Sequence, residues 1–267
     1  MIAPTQDPQT ASLALTWLDA NSWLIEMAGQ RILLDPWLVG SLVFGGQEWF
    51  FRGDRPHDRA VPEGVDLILL SQGLPDHAHR RTLQQLPKSW PVVGSPSAAA
   101  VARELGFSSV TALAHGEIHP VADRLTIMAL PGAPLGPLVQ ENAYLVTDLQ
   151  TGQSLYYEPH GYPDASLAGR DPVDVAIVPL INQSILGVGT ILQGFDTAAQ
   201  VAQWLRPQVM LPTAGMGSIR YSGILANLLQ TKGSPQAVQQ QLTQLGIPTQ
   251  VLEPVPGERV MPLGIPN

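Results

Sequence analysis

Short apolar runs, each closed by glycine, proline or polar residues, alternate along the chain with a few segments of helical period. Leu13 to Leu18 and Ser22 to Met27 read as strands, Ala28-Gly29-Gln30 as a tight turn, and Arg31 to Asp35 as a third strand. Val65 to Leu70 (VDLILL) and Val173 to Val178 (VDVAIV) are near-continuous apolar runs, which suits strands covered on both faces. Further strands are expected at Val92 to Gly94, Val110 to Leu113, Leu125 to Leu130, Asn142 to Thr147 and Ser154 to Tyr157. Val209 to Leu211, Thr249 to Leu252 and Arg259 to Met261 complete the set. The pattern predicts helices from Arg80 to Leu86 before Pro87, from an N-cap at Ser97 to Leu105, and from a cap at Asp196 to Leu205. A last helix runs to Leu245 from Ser234-Pro235, with serine at the N-cap and proline at the first helical position. Each half opens with strand pairs and continues in strand–helix units. That order predicts an α/β protein with two packed sheets and helices outside.

Composition narrows the picture. The 267 residues are enough for one sizeable core, with a domain expected over 11–262 between short tails at 1–10 and 263–267. No cysteine is present, which excludes disulfides, a thiolate metal site and a cysteine nucleophile. The polar start, Met1 to Thr10, does not read as a signal peptide, and no run has the ~18 apolar residues of a membrane span. A cytoplasmic location is the expectation. A net charge of −8 argues against nucleic acid as a partner. Charged residues make up only 13% of the chain, against a usual ~25%. Either an apolar surface is covered by a ligand, membrane or partner, or Gln, Pro and Ala simply fill the exterior.

Candidate chemistry concentrates in residues 67–83, LILLSQGLPDHAHRRTL. A buried strand ends at Leu70, and the loop after it holds Asp76, His77 and His79 before a helix begins. A carboxylate beside an imidazole just past a strand end is a good place for a metal ligand, although nearby loop histidines are more often only solvated. Gly187-Val188-Gly189 lacks the strand–GxGxxG–helix order of a nucleotide site, and no GxSxG elbow is present. Ser71, Asp76 and His77 lie too close in sequence to be taken as a triad.

The segment resembles the signature of the metallo-β-lactamase superfamily, in which a buried strand runs into Ser/Thr-His-x-His-x-Asp-His and a helix. The frame here reads Ser71, Gln72, Gly73, Leu74, Pro75, Asp76, His77. The opening hairpin and Asp35-Pro36-Trp37-Leu38 are similar to the branch that includes the ascorbate-phosphate lactonases. Later motifs fall in order: Leu130-Pro131-Gly132-Ala133, Tyr156-Tyr157-Glu158-Pro159, and Leu211-Pro212-Thr213-Ala214-Gly215. The resemblance implies a four-layer αββα sandwich. It also implies that the first metal site is lost, because Gln72, Leu74 and Ala133 stand where the family has histidines. Asp76 and His77 remain from the second site, Glu158 stands for the bridging aspartate, and Thr213 or Ala214 replaces the last histidine.

Two readings stay open. In the first, Asp76, His77 and Glu158 hold one divalent ion, with zinc expected, and His79 and His160 serve as substitute ligands. The chain is then a hydrolase of the ester, lactone or phosphoester class, with Asp76 as the catalytic candidate. In the second, no metal binds: Asp76 caps the next helix and His77 bonds to Glu158. The chain is then a non-catalytic relative that binds an apolar small molecule or a protein. Two apolar segments serve either reading. Phe44, Trp49, Phe50 and Phe51 follow DPWLVG, and Ile185, Leu186, Val188, Ile191, Leu192 and Phe195 lie in 181–195. They are expected to line the cleft mouth or a homodimer interface, with Leu74 facing the space left by the lost metal.

Overall fold

The computed structural model describes residues 13–136, 139–187, 189–215 and 217–264. The tail expected at 1–10, Val188 and the last three residues of the tail at 263–267 lie outside them. Two sheets of seven strands form the body. The first runs, edge to edge, Arg259–Val260, Ala14–Trp17, Trp23–Met27, Gln30–Leu34, Leu67–Leu70, Val92–Gly94 and Val110–Ala112. The second runs Gln250–Val251, Val209–Pro212, Val175–Val178, Ser154–Tyr157, Gln140–Asp148, Leu125–Pro134 and Ile118–Val121. Each is antiparallel on one side and parallel on the other, so both are mixed sheets.

The inner faces meet in one core that includes Trp23, Ile25 and Leu69 from the first sheet and Ile127, Tyr144 and Tyr157 from the second. Burying each such side chain contributes roughly 1.5–3 kcal/mol. Helices Arg80–Gln85 and Pro96–Glu104 cover the outer face of the first sheet through Leu83, Ala98 and Ala102. Helices Gly194–Leu205 and Pro235–Gln244 cover the second through Val201, Leu205, Val238 and Leu242. The layers are therefore αββα, as expected. No helix among the described residues is long and apolar enough to cross a membrane.

Two helix starts differ from the pattern reading. The N-cap of the second helix is Ser95, not Ser97, with Pro96 at the first helical position; Ser95 Oγ accepts from Ala98 N. The third begins at Gly194 with no side-chain cap. Asp196 sits in its first turn, where its carboxylate accepts from Asn182 Nδ2 and Lys232 Nζ. Strands also form in and around the two apolar segments. Asn182–Ile185 and Gly189–Gln193 form a hairpin extended by Leu229–Lys232, and Leu42–Val43, Arg52–Asp54 and Arg220–Ser222 form another small sheet. Buried Asp19 ties the segments that flank this second small sheet to the body: it accepts from Arg59 Nη2 (2.6 Å), Ser218 N (2.8 Å) and Ser218 Oγ (2.9 Å).

Candidate metal site and apolar cavity

Strand ends of the two sheets meet around Asp35. Its φ of 41° is in the left-handed region, which aspartate tolerates better than most residues. The fully buried carboxylate accepts from Ser71 N (2.7 Å), Ser71 Oγ (2.5 Å), His77 Nδ1 (2.7 Å) and Tyr157 OH (2.7 Å). The last bond crosses from the second sheet to the first, as does the bond from Tyr144 OH to Leu70 O (2.7 Å). With Nδ1 committed to Asp35, His77 turns Nε2 towards Asn21 Nδ2 and Asp76 Oδ2, each at 3.2 Å. A carboxylate on the far ring nitrogen is how proteins fix the tautomer and direction of a ligating histidine.

His160 repeats this arrangement. Its Nδ1 lies 2.9 Å from both oxygens of Glu141, which is fully buried on strand Gln140–Asp148. Glu141 also accepts from Ala133 N (3.0 Å) and Gln72 Nε2 (3.2 Å). Its chain passes over Gly132, where a Cβ would come within 2.6 Å of the Glu141 Cγ, so only glycine fits there. The His77 and His160 rings lie 5.2 Å apart, tilted by 32°. Glu158 has another task. It accepts from the backbone N of His160 (2.9 Å), Gly161 (2.6 Å) and Tyr162 (3.0 Å), and so folds the loop that presents His160. Burial, followed by the charge of Glu141, pushes the Glu158 carboxyl up to about 8.

Asp76, His77 and His160 each bring a ligand atom to within 4.8 Å of the others, and Glu141, Glu158 and His160 form a second such group. The two groups differ in what is left over. Asp76 Oδ1 is buried and has no hydrogen-bond partner among the described residues. Burial raises the Asp76 carboxyl, but the adjacent His77 more than offsets this and the net shift is downward. For His77 burial acts downward and is outweighed by Asp76 and Asp35, leaving the imidazole well above its ordinary range. His160 is raised too, as Glu141 overcomes the effect of burial.

Above this floor lies a cavity of about 350 Å³. Asn21, Asp76 and His160 form its polar end, beside Ala20 and Ala214. Leu42, Phe44, Phe50, Phe51 and Tyr221 line one side, and Gln183, Ile185, Ile191, Leu192, Leu225 and Leu229 the rest. Both apolar segments singled out in the sequence thus reach one cavity. Trp49 does not line it: the residue is 63% exposed and its ring rests edge-on against Phe50. Leu186 is likewise 66% exposed.

Several expectations change here. Asp76 does not cap the following helix; His79 does, accepting at Nδ1 from Thr82 N. His79 Nε2 faces Ser41 O at 3.3 Å, and burial brings the ring down to about 4. With both nitrogens engaged, His79 belongs to neither ligand group among the described residues. His77 bonds to Asp35 rather than Glu158. Leu74 does not face the cavity; it is 45% exposed, because its carbonyl closes a turn onto His77 N and Ala78 N. Gln72 and Ala133 do occupy the site floor, as donors to Glu141. Thr213 is fully buried between Trp23, Ala20 and Asn21. Glu141 was not singled out in the sequence. It opens a strand, and its partners lie 69, 19 and 8 residues away, so no local spacing marks it.

The β-lactamase superfamily domain model matches residues 14–214. A metal-dependent hydrolase of the UPF0173 group from Opitutus terrae is 24% identical over 221 residues, covering 75% of this chain and 83% of its own length. Among solved structures, the isothiocyanate hydrolase from Delia radicum gut bacteria superposes with a TM-score of 0.67 at 18% identity, covering 92% of this chain and 98% of its own. Igni18, a metallo hydrolase from Ignicoccus hospitalis, gives 0.64 at 16% identity, covering 93% and 97%. At such identities the structural likeness is one of fold. The family model spans most of the chain and the sandwich agrees with it, so this chain belongs to the β-lactamase superfamily and has the metallo-β-lactamase fold.

Proposed function

We propose that this protein is a hydrolase of the ester, lactone or phosphoester class that works with one divalent metal ion held by Asp76, His77 and His160. The observation that carries this reading is the buried, partnerless oxygen of Asp76 beside two imidazoles. An unpaired buried carboxylate oxygen costs about 1–3 kcal/mol, and it persists where a ligand completes it. Two imidazoles and one carboxylate suit zinc or iron(II), and a ligand-atom spread within 4.8 Å closes onto one ion with small side-chain shifts. When bound, the ion would supply Lewis acidity, lowering the pKa of contacting water to about 7 and polarising a carbonyl.

The protein's own residues do the rest. Asp35 and Glu141 hold Nδ1 of His77 and His160, which leaves Nε2 as the nitrogen each ring would offer the ion, His77 giving up its contact with Asn21 Nδ2. Glu158 fixes the His160 loop through three backbone N–H groups. This assignment replaces Glu158 with His160 in the ligand set expected from the sequence. The apolar walls keep bulk water away and so strengthen each charge interaction at the floor.

The test is elemental analysis of protein purified without chelators, together with hydrolysis of neutral nitrophenyl esters and lactones. A single equivalent of metal is expected, lost on His160→Ala and on Asp76→Ala along with hydrolysis. Metal-free protein that still hydrolyses these compounds would exclude the mechanism. Protein that takes up no metal from excess zinc, iron(II) or manganese would leave the cleft as a binding site without this chemistry.

A further inference from the structure

The cavity wall contains a phenol that the protein leaves unbonded. Tyr221 stands on strand Arg220–Ser222 with its ring 5.2 Å from that of Phe51. It lies over Gly53, where a Cβ would meet the ring at 2.9 Å, so Gly53 makes room for it. The Tyr221 hydroxyl has no hydrogen-bond partner among the described residues, while the ring lines the cavity that contains Asp76 and His160. Burial, and then the nearby charge of Asp76, raises the phenol above its ordinary range.

The rest of the lining says what the donor would meet. Among the described residues no lysine or arginine borders the cavity, and its carboxylate and imidazole, Asp76 and His160, both lie at the polar end. The body of an occupant would lie among Phe44, Phe50, Ile185, Ile191, Leu192 and Leu225. A carboxylate or phosphate remote from the reacting centre would lose its hydration there and gain no cation in return, which costs several kcal/mol. A volume of about 350 Å³ is at the small end of ligand sites, which run from roughly 300 to 1,000 Å³. It suits one ring or a short chain.

We infer that the cavity accepts an electroneutral small molecule with an apolar ring or short chain, whose carbonyl-type oxygen takes a hydrogen bond from the Tyr221 hydroxyl. The inference deepens the hydrolase reading by excluding anionic substrates, and only the identity of the reacting bond rests on that reading. It makes Tyr221 a substrate-binding residue and the two small sheets a specificity element.

Binding to metal-free protein tests this without any turnover. Acetophenone, benzoate and toluene share a ring and differ in the group they offer. Ligand-observed NMR titration should find acetophenone the tightest and benzoate at least tenfold weaker. Tyr221→Phe should weaken acetophenone about three- to tenfold, the value of one neutral hydrogen bond, and leave toluene unchanged. Leu192→Trp, which fills the cavity from the opposite wall, should abolish both acetophenone and toluene binding. Benzoate binding as well as acetophenone, or Tyr221→Phe protein retaining wild-type acetophenone affinity, overturns the inference. So does retained binding in Leu192→Trp protein. Because no metal is present, these results are independent of whether the loaded protein hydrolyses anything.

Discussion

The two ligand groups that share His160 both combine carboxylates with imidazole and are left in opposite states. Around Glu141 and Glu158 every carboxylate oxygen already accepts a hydrogen bond, from Gln72, Ala133, His160, Gly161 or Tyr162. At Asp76 one oxygen faces His77 and the other has no partner, although it is buried. Proximity of acids and imidazoles therefore does not identify a metal site. The proposed site rests instead on a carboxylate oxygen that no other group has claimed. On the spent side a glutamine and a backbone N–H from Ala133 donate to Glu141 and make a hydrogen-bonded frame. The frame's product is the orientation of His160, which faces the unspent side.

Removing each carboxylate from metal-free protein is the most direct way to break this comparison. Glu141→Ala strips His160, Gln72 and Ala133 of their acceptor in a fully buried place, and should lower stability by about 3–5 kcal/mol in urea unfolding. Asp76→Ala removes one contact with His77 and an oxygen that has no partner among the described residues, and should lower stability less, by about 1–2 kcal/mol. Equal losses would mean that Asp76 is as much a structural group as Glu141, and the contrast would fail. A gentler change sharpens it. Glu141→Gln keeps the shape but weakens the hold on His160 Nδ1, so zinc affinity, measured by competition with a chromophoric chelator, should fall roughly 10- to 100-fold. Unchanged affinity would show that His160 needs no orienting carboxylate.

Much of this was legible in the chain. The runs VDLILL and VDVAIV end in strands Leu67–Leu70 and Val175–Val178 at the middle of each sheet, because only doubly covered strands tolerate such continuity. Ser234-Pro235 announced a helix correctly, and the same Ser-Pro signature at Ser95-Pro96 marks the cap that the reading assigned to Ser97. Asp76, His77 and His160 were visible as residues with ligand chemistry. Which of them meet was not, since that depends on the loop that Glu158 folds and on a strand register shifted by the irregularity between Pro131 and Pro134. The small sheets escaped because strands such as Asn182–Ile185 and Arg52–Asp54 are short and polar and have no period of their own. The aromatic cluster around Phe50 pointed to a cavity wall, but no sequence pattern marked Tyr221 as its partner across the strand pair Arg52–Asp54 and Arg220–Ser222.

Asp148 offers the mildest test, since it is a spent carboxylate at the other end of the strand that carries Glu141. Its oxygens accept from Arg124 Nε and Nη2, both at 3.1 Å, from Gln150 N at 3.0 Å and from Thr151 Oγ1 at 2.8 Å. Arg124 chiefly, against the opposing effect of burial, brings its carboxyl down to about 2. A carboxyl depressed by folding contributes stability above its unfolded value near 3.8 and loses that contribution as pH falls through about 2. Arg124 keeps 32% of its side-chain surface in solvent, which screens the pair and reduces the gain to about 1–2 kcal/mol. Asp148→Asn should therefore lower stability by that amount at pH 7, progressively less from pH 4 downwards, and leave zinc affinity untouched. If the substitution costs as much at pH 2.5 as at pH 7, the loss comes from packing, not from charge. If it moves zinc affinity, the strand transmits strain to His160, and the separation between spent and unspent carboxylates is less sharp than their hydrogen bonds imply.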